Sequence, residues 1–335
     1  MQKENSNKFA IKVVWTLVLI CVIVGLGVGL FFASFEKEDF QLGVHFSPEY
    51  AQYLGLNWQE AYIAILDDLH VKNIRLAVPW DNVEPEKDFY TFGPVDWQIE
   101  EAQKRGVNVI LTIGRRTPRW PECHDPLWIK NATDQFVQEQ QFEMLKTVVD
   151  RYKVYDNIVM WQVENEPMLN AFGDCPPADL NLLQQEISFV KTLDVRPILI
   201  TDSGELGFWL VAANVGDYFG TTMYRVTHNR WLGYSFYYLP PIFYNLKARL
   251  VGQNPNQVYV SELQAEPWVP QGILETSIAD QKISMDAERL QNHVQFARQT
   301  GFAGAYLWGA EWWYWLRMVK GDNSLWDEAR KIFNK

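Results

Sequence analysis

The 335-residue sequence has little positive charge, no glycine-rich phosphate loop and no recognisable set of metal ligands. A formal net charge of −11 argues against a nucleic-acid partner, because such a partner requires a concentrated positive field. The first apolar run, which ends in Val44-His45-Phe46, lacks the glycine-rich turn of a dinucleotide-binding sheet. None of His45, His124 and His228 has metal-ligand spacing to another. We therefore expect no metal and no cofactor.

Charged residues are also missing from segment 13–32. A helix of twenty residues, at about 1.5 Å per residue, spans a hydrocarbon core of roughly 30 Å. Lysines precede the segment and acidic residues follow it, so the positive-inside rule predicts a cytoplasmic N-terminus (1–12), a transmembrane anchor (13–35) and an extracytoplasmic domain (36–335). This organisation predicts a single-pass protein of the cell membrane. A cleaved signal peptide is the alternative, although its apolar region is usually shorter.

Aromatic residues, in contrast, are abundant, with 15 Trp, 15 Tyr and 19 Phe in a chain that is 48% hydrophobic. This content is ample for a large core and excludes a disordered or fibrous chain. Flat rings can also stack on the apolar faces of sugars. We expect most of these side chains to lie in the core and the remainder to be available for binding carbohydrate.

Short apolar, β-rich runs alternate with helical patterns along the whole of 36–335. The eight runs are 41–46, 73–78, 107–113, 157–164, 196–202, 220–224, 257–262 and 303–308. The helical stretches include 58–70, 95–105, 133–152, 178–193, 242–251, 279–300 and 323–333. Eight βα units over this length predict an α/β fold, a (β/α)8 barrel, with its active site at the carboxyl ends of the strands. An open, doubly wound sheet would give a similar alternation.

Three cysteines are present. Cys21 falls within the apolar N-terminal segment, whereas Cys123 and Cys175 lie on the outer side of the membrane, where disulfides persist. Cys123 and Cys175 form either one disulfide bridge or two free thiols. Because they fall in the loops after the third and fourth predicted strands, which are neighbours at one face of a barrel, we expect a disulfide.

Two segments with paired carboxylates stand at predicted strand ends. Glu164 and Glu166 end the fourth strand, and Glu262 and Glu266 follow the seventh. Cleavage of a glycosidic bond with retention needs one protonated carboxyl group and one ionised carboxylate, roughly 5–5.5 Å apart. The ends of these two strands can place such a pair across the mouth of a barrel.

In these motifs the chain resembles the clan A glycoside hydrolases, family 5 with its cellulase-type enzymes in particular, over about 41–317. The resemblance implies that Glu166, in Asn-Glu-Pro, is the acid/base and that Asn165 holds the sugar 2-hydroxyl. It also implies that Glu262, in Ser-Glu-Leu, is the nucleophile, with Glu266 as the alternative.

The expected substrate-binding residues have two sources. The same resemblance implies Arg75, Asn165, Tyr224 and Trp308, with Trp80 in a further matching segment. Trp120 and Trp268 are aromatic residues on strand-end loops, where a ring either stacks on sugar or packs on the barrel. Arg75 and Tyr224 would hydrogen-bond the nucleophile, and Trp308 would floor the sugar subsite.

The chain departs from family 5 in two places. Thr222 stands where the family has a histidine before the tyrosine of strand six, and strand three ends in Gly114-Arg115-Arg116. A divergent member is therefore expected. The loop 115–121 either contacts substrate through an arginine or Trp120, or is a solvated basic loop.

Several other residues allow two interpretations. Glu164 is either a second catalyst or, as we expect, a barrel-interior carboxylate held by an arginine; Asp202 is a substrate contact or a helix cap. The aromatic block at Trp312, Trp313 and Trp315 is expected on a loop after strand eight, where its rings either bind sugar or pack on the barrel.

Together these features predict a retaining O-glycosyl hydrolase that cleaves β-linked glycans with two glutamates and no cofactor. Its expected partners are an oligo- or polysaccharide substrate and the membrane. A membrane-tethered transglycosylase using the same residues, or a non-catalytic carbohydrate-binding barrel, are the alternatives.

Overall fold

The computed structural model describes residues 35–205 and 207–334, together with seven separate positions between 15 and 29. Residues 1–12 and most of the expected anchor at 13–35, including Cys21, lie outside the described residues. Within the described residues, no helix is both long and apolar enough to cross a membrane. The anchor stays a prediction.

Eight parallel strands close a barrel. The described residues form ten strands, and all of them except β7 and β8 belong to the barrel. They are β1 (Gln41–His45), β2 (Asn73–Ala77), β3 (Asn108–Ile113), β4 (Ile158–Val163), β5 (Ile198–Asp202), β6 (Tyr218–Met223), β7 (Val226–Asn229), β8 (Gly233–Phe236), β9 (Val258–Gln264) and β10 (Gly304–Trp308). Around the barrel the order is β1-β10-β9-β6-β5-β4-β3-β2, and β7 and β8 form a separate antiparallel hairpin. Each of the eight predicted runs is a barrel strand, so the closed barrel is confirmed and the open sheet is excluded.

Helices follow the strands on the outside of the barrel. They are α1 (Pro48–Tyr53), α2 (Trp58–Asp68), α3 (Trp80–Val83), α4 (Gly93–Lys104), α5 (Asp134–Tyr152), α6 (Leu180–Leu193), α7 (Pro241–Leu250), α8 (Ile278–Ser284), α9 (Ala287–Gln299), α10 (Ala310–Lys320) and α11 (Ser324–Phe333). Several begin at a side chain that accepts a hydrogen bond from a free backbone N–H of the first turn, among them Asn57, Thr133 and Asp179.

Two stretches differ from the sequence-based expectation. The single helix predicted at 279–300 is broken, because Met285 is extended and Asp286 caps a new helix, α9. The aromatic block after β10 lies on helix α10 rather than on a loop, and Trp312, Trp313 and Trp315 are buried. These three indoles pack the core, so they offer no sugar-binding surface.

The side chains of the strands alternate between two environments. Ile74 and Leu76 point outward into the large core between strands and helices. A separate cluster of Ile110, Met160, Leu199, Tyr259 and Tyr306, contributed by five strands, fills the barrel interior. Arg75 lies between Ile74 and Leu76 on β2, and alternation therefore turns its guanidinium inward. This placement brings a buried positive charge to the interior of the barrel.

Candidate active site

A cavity of about 910 Å³ opens at the carboxyl ends of the strands. Residues that end or follow all eight barrel strands line it, among them His45, Glu122, Glu166, Tyr224 and Glu262. The volume lies within the range of small-molecule binding clefts. The structure thus brings both predicted catalytic glutamates into one cavity.

Glu262, on β9, accepts two hydrogen bonds inside the barrel. Arg75 donates to Oε1 over 3.2 Å, and the Tyr224 hydroxyl donates to Oε2 over 2.9 Å. The two contacts expected from the sequence are therefore present. Both groups donate a hydrogen bond to the carboxylate, and such bonds stabilise negative charge on its oxygens.

Arg75 also organises the neighbouring amides. Its guanidinium donates to Gln162 Oε1 and to Asn165 Oδ1, each over 2.7 Å. Asn165 in turn donates from Nδ2 to Glu122 Oε2 over 3.0 Å. Both ends of the Asn165 amide are therefore engaged within the protein, and its contact with a sugar hydroxyl stays a prediction.

Glu166 follows the end of β4, with its backbone in the left-handed region at φ 45°. Its N–H donates to Thr201 Oγ1 over 2.8 Å, which holds this strained position in place. Burial raises the pKa of the Glu166 carboxyl well above its usual value, and the nearby charges of Glu262 and Glu122 raise it further. Glu166 therefore tends to keep its proton at a pH at which an ordinary carboxyl would have lost it.

Glu122 is a third carboxylate of the cavity, and the sequence reasoning missed it. Burial, followed by the charge of Glu262, raises its pKa to about 7. The residue lies in the loop after β3, next to Cys123, in no motif of the resembled family. Glu122 precedes Cys123, for which the sequence predicts a disulfide. That disulfide could have indicated that the loop is held against the cavity.

The alternative nucleophile Glu266 is held by a different arginine. Arg119 donates to its two carboxylate oxygens over 2.6 and 3.1 Å, and the Trp308 indole N–H donates to Oε1 over 2.8 Å. The Arg119 guanidinium carbon also lies 3.7 Å from the centroid of the Tyr50 ring and 4.1 Å from that of Trp308. All the donors to Glu266 are thus different from those to Glu262.

The loop after β3 reaches across the mouth of the barrel. β3 and β9 face each other in the strand order, so the Arg119–Glu266 pair joins opposite sides of the opening. A disulfide between Cys123 and Cys175, with α-carbons 5.2 Å apart, ties this loop to the one after β4. The expected bridge is therefore present. Loop 115–121 was expected either to contact substrate or to be a solvated basic loop, and these contacts favour the first interpretation.

The other arginines of this loop have structural partners. Arg115 pairs with Asp125, and Arg116 donates to the carbonyls of Leu169 and Phe172. Glu164 accepts the backbone N–H groups of Arg115 and Arg116, rather than a guanidinium as the sequence suggested.

Asp202 has neither of the roles considered for it. It accepts the N–H groups of Ser203 and Trp209 within a loop, so it is not a helix cap, and it does not line the cavity.

The predicted aromatic contacts divide into two groups. Trp80 is 0% exposed, donates its indole N–H to Glu84 and does not line the cavity, so its assignment to substrate binding is wrong. Trp120 and Trp268 line the cavity and are accessible, Trp120 being 63% exposed. Trp308 lines it too but is only 7% exposed, because His45 and Arg119 pack on its ring.

Comparison with solved structures identifies barrels of similar shape. The β-galactosidase from the Antarctic haloarchaeon Halorubrum lacusprofundi has a TM-score of 0.57 and 14% identity, over 88% of this chain and 58% of that chain. The exo-β-1,4-mannosidase Op5Man5 from Opitutaceae bacterium strain TAV5 has a TM-score of 0.57 and 17% identity, over 82% of this chain and 53% of that chain. Xylanase 10B from Thermotoga petrophila RKU-1 has a TM-score of 0.56 and 15% identity, over 88% of this chain and 94% of that chain. At these identities the likeness shows the fold alone, and the chain spans little more than half the length of the first two.

A family model carries the comparison further. The model described as cellulase (glycosyl hydrolase family 5) matches residues 37–211, more than half of the chain. The matched segment runs from before β1 to beyond β5 and contains the Asn165-Glu166-Pro167 motif. The chain therefore belongs to glycosyl hydrolase family 5.

Proposed function

We propose that this enzyme hydrolyses a β-linked glycan with retention of configuration, with Glu166 as the acid/base and Glu262 as the nucleophile. The observation that carries the proposal is the contrast between two glutamates of one cavity. Glu166 is buried beside two other carboxylates, which raises its pKa, whereas Glu262 accepts hydrogen bonds from Arg75 and Tyr224. Two carboxyl groups in environments this different suit the acid and the nucleophile of one reaction.

Each glutamate has a defined part in the two steps. Protonated Glu166 donates its proton to the glycosidic oxygen while a carboxylate oxygen of Glu262 attacks the anomeric carbon, so the bond to the leaving group breaks and a glycosyl ester forms. Glu166, now ionised, then takes a proton from a water molecule that attacks the same carbon and releases Glu262. Two inversions give net retention.

The contacts of the two candidate nucleophiles favour Glu262 over Glu266. Both oxygens of Glu266 accept hydrogen bonds from Arg119, and one also accepts the Trp308 indole N–H. A carboxylate engaged in this way has less free lone-pair density for attack, and it would have to break a bidentate ion pair. Glu262 has one donor on each oxygen.

A β-linked substrate is supported by the structural neighbours. Two of them are named as a β-galactosidase and an exo-β-1,4-mannosidase. We propose the same β-configuration for the bond that this protein cleaves.

Kinetics of two alanine variants test the assignment. Glu262→Ala should abolish turnover of all glycosides, and azide should restore it with inversion by entering the vacated side. Glu166→Ala should still cleave activated aryl β-glycosides with a burst of leaving group, because these leaving groups need little protonation, and azide should then give a retained product. On natural glycans each variant should lose about a thousandfold or more in rate.

Two further variants complete the design. Glu139→Ala, on the exposed side of α5, is the matched control and should behave as the unaltered enzyme. Glu266→Ala distinguishes the two candidate nucleophiles. Loss of activity in Glu266→Ala together with full activity in Glu262→Ala would reassign the nucleophile, and full activity in both Glu166→Ala and Glu262→Ala would disprove the mechanism.

The proposed enzyme is tethered to the cell membrane by its apolar segment, with the barrel outside. The support is the uncharged run 13–32 with lysines before it and acidic residues after it. Cell fractionation should place the full chain in the membrane pellet, and protease added to intact cells or spheroplasts should degrade the barrel. Recovery of the full chain in the soluble fraction would disprove the tether.

A further inference from the structure

Arg119 is held at the mouth of the barrel by two carboxylates and two aromatic rings. It donates to both oxygens of Glu266 over 2.6 and 3.1 Å, and Oε2 of the buried Glu311 lies 3.8 Å from its Nη2. Its guanidinium carbon lies 3.7 Å from the centroid of the Tyr50 ring and 4.1 Å from that of Trp308. A guanidinium with these contacts is fixed in position, so it forms part of the cavity wall.

The ion pair between Arg119 and Glu266 divides the opening of the barrel. Arg119 belongs to the loop after β3, and Glu266 follows β9, which lies four strands away in either direction around the ring. One half of the opening therefore lies over β4, β5 and β6, and the other lies over β2, β1 and β10. Trp308 ends β10 and Tyr50 follows β1, so the rings that hold Arg119 belong to the second half.

The proposed mechanism assigns the two halves to the two parts of the substrate. Glu166 follows β4 and so belongs to the first half. The acid gives its proton to the leaving oxygen, so the aglycone lies on this side. The sugar attacked by Glu262 then extends away from β4, towards the second half. The Arg119–Glu266 ion pair therefore stands on the path that further glycone units would take.

Buried side chains fill the barrel side of the ion pair. Trp308 is only 7% exposed, and His45, which stacks on it with ring centroids 4.5 Å apart, is 0% exposed. Neighbouring strands lie about 4.8 Å apart, so Glu262 on β9 and Trp308 on β10 leave room for about one sugar ring between the nucleophile and Arg119. A second glycone unit would meet the guanidinium.

The cavity continues in the second half of the opening. Tyr53, after β1, and Asn82, after β2, line it there. Space for a further sugar unit is therefore present beyond the Arg119–Glu266 ion pair, and the ion pair separates this space from the reaction centre. Removal of the Arg119 side chain would join the two.

We propose that the Arg119–Glu266 ion pair ends the binding site on the glycone side, so that the enzyme removes single sugar units from the non-reducing end of a β-linked glycan and does not cut within the chain. The inference rests on the proposed glycosidase function, because that mechanism defines which side holds the glycone. It adds Arg119 as a residue that determines where along a glycan the enzyme acts.

Aryl disaccharides report where glycone binding ends. The full-length enzyme is given para-nitrophenyl β-glycosides of glucose, mannose, galactose and xylose, and of the β-linked disaccharide of each sugar. Removal of the terminal sugar leaves a nitrophenyl monosaccharide, whereas binding of two units on the glycone side releases nitrophenol and an intact disaccharide. Chromatography of the first products distinguishes the two reactions.

Two variants open the ion pair. Arg119→Ala removes the guanidinium, and Arg119→Ala/Glu266→Gln also removes the carboxylate charge that the single variant would strand. Arg151→Ala is the matched control, because Arg151 pairs with both oxygens of Asp96 and lies 4.7 Å from the centroid of the Phe92 ring, on the outside of the barrel.

The expected result is a change in products rather than a uniform loss of rate. The unaltered enzyme should release the terminal sugar first. Both Arg119 variants should raise the ratio of intact disaccharide to terminal sugar by roughly tenfold or more, the scale of steric discrimination in a pocket. A purely structural role of Arg119 would lower both reactions alike and leave the ratio unchanged. Arg151→Ala should keep the ratio of the unaltered enzyme.

Two results would overturn the inference. One is release of intact disaccharide by the unaltered enzyme as fast as release of the terminal sugar, and the other is an unchanged ratio in both folded Arg119 variants. The first result needs no variant, so the test stands even if circular dichroism shows that the variants are unfolded. An unaltered enzyme that cleaves no β-glycoside would instead refute the proposed function, and the inference on Arg119 would fall with it.

Discussion

Replacement of Arg75 by methionine should destabilise the barrel mainly by leaving Glu262 without its buried counter-charge. The guanidinium is fully buried and donates to Glu262, Asn165 and Gln162. Methionine fills a similar volume without charge. Removal of one partner of a buried ion pair costs about 3–5 kcal/mol, because the remaining charge is stranded. Glu262, itself buried, keeps only the Tyr224 hydroxyl as a donor.

The double variant Arg75→Met/Glu262→Gln isolates this cause. Glutamine keeps the shape of the side chain and removes the stranded charge, so the double variant should be more stable at pH 7 than Arg75→Met alone. With an m value of about 3 kcal/mol per molar urea, the single variant should unfold at a midpoint roughly 1–1.7 M lower than the unaltered protein. Tryptophan fluorescence during urea titration measures all three midpoints. Equal midpoints for the single and double variants at pH 7 would refute the argument, because the destabilisation would then come from lost packing or from the amides.

Three further predictions concern the same region. Glu122→Gln removes a negative charge beside Glu166 and so lowers the pKa of Glu166; the alkaline limb of the kcat/KM profile should move to lower pH, and a shift to higher pH would contradict the assignment. Trp80→Ala should lower the free energy of unfolding by about 3–5 kcal/mol, because Trp80 is buried. Trp120→Ala should raise KM and change the free energy of unfolding by no more than about 0.5 kcal/mol, because Trp120 is exposed. The reverse pattern would restore Trp80 as a substrate contact. Replacing both cysteines of the disulfide by serine should lower the free energy of unfolding by about 4 kcal/mol for a separation of 52 residues, and an unchanged urea midpoint would show that the bridge adds no constraint.

The barrel could be predicted from the sequence because its signal is local and repeated. Each strand is a short apolar run, each helix a periodic pattern, and eight copies of the unit leave few alternative folds. The motif around Glu166 could be placed for the same reason, since it directly follows a predicted strand. Predictions failed where long-range packing decided the outcome. Trp80 and Trp312 are large indoles near strand ends in the sequence, but they turn into the core once the helices close over the barrel.

Glu262 and Glu266 show most clearly what the sequence could not resolve. They are four residues apart, of the same type and beside the same strand, so only the resemblance of Ser261-Glu262-Leu263 to the family motif favours one of them in the sequence. Their difference comes from arginines far along the chain, Arg75 at a separation of 187 residues and Arg119 at 147. Arg75 reaches Glu262 from inside the barrel, whereas Arg119 reaches Glu266 from a loop that crosses its mouth. Because a carboxylate's reactivity depends on which donors occupy its oxygens, barrel closure and loop packing set the contrast on which the proposed assignment of the nucleophile rests.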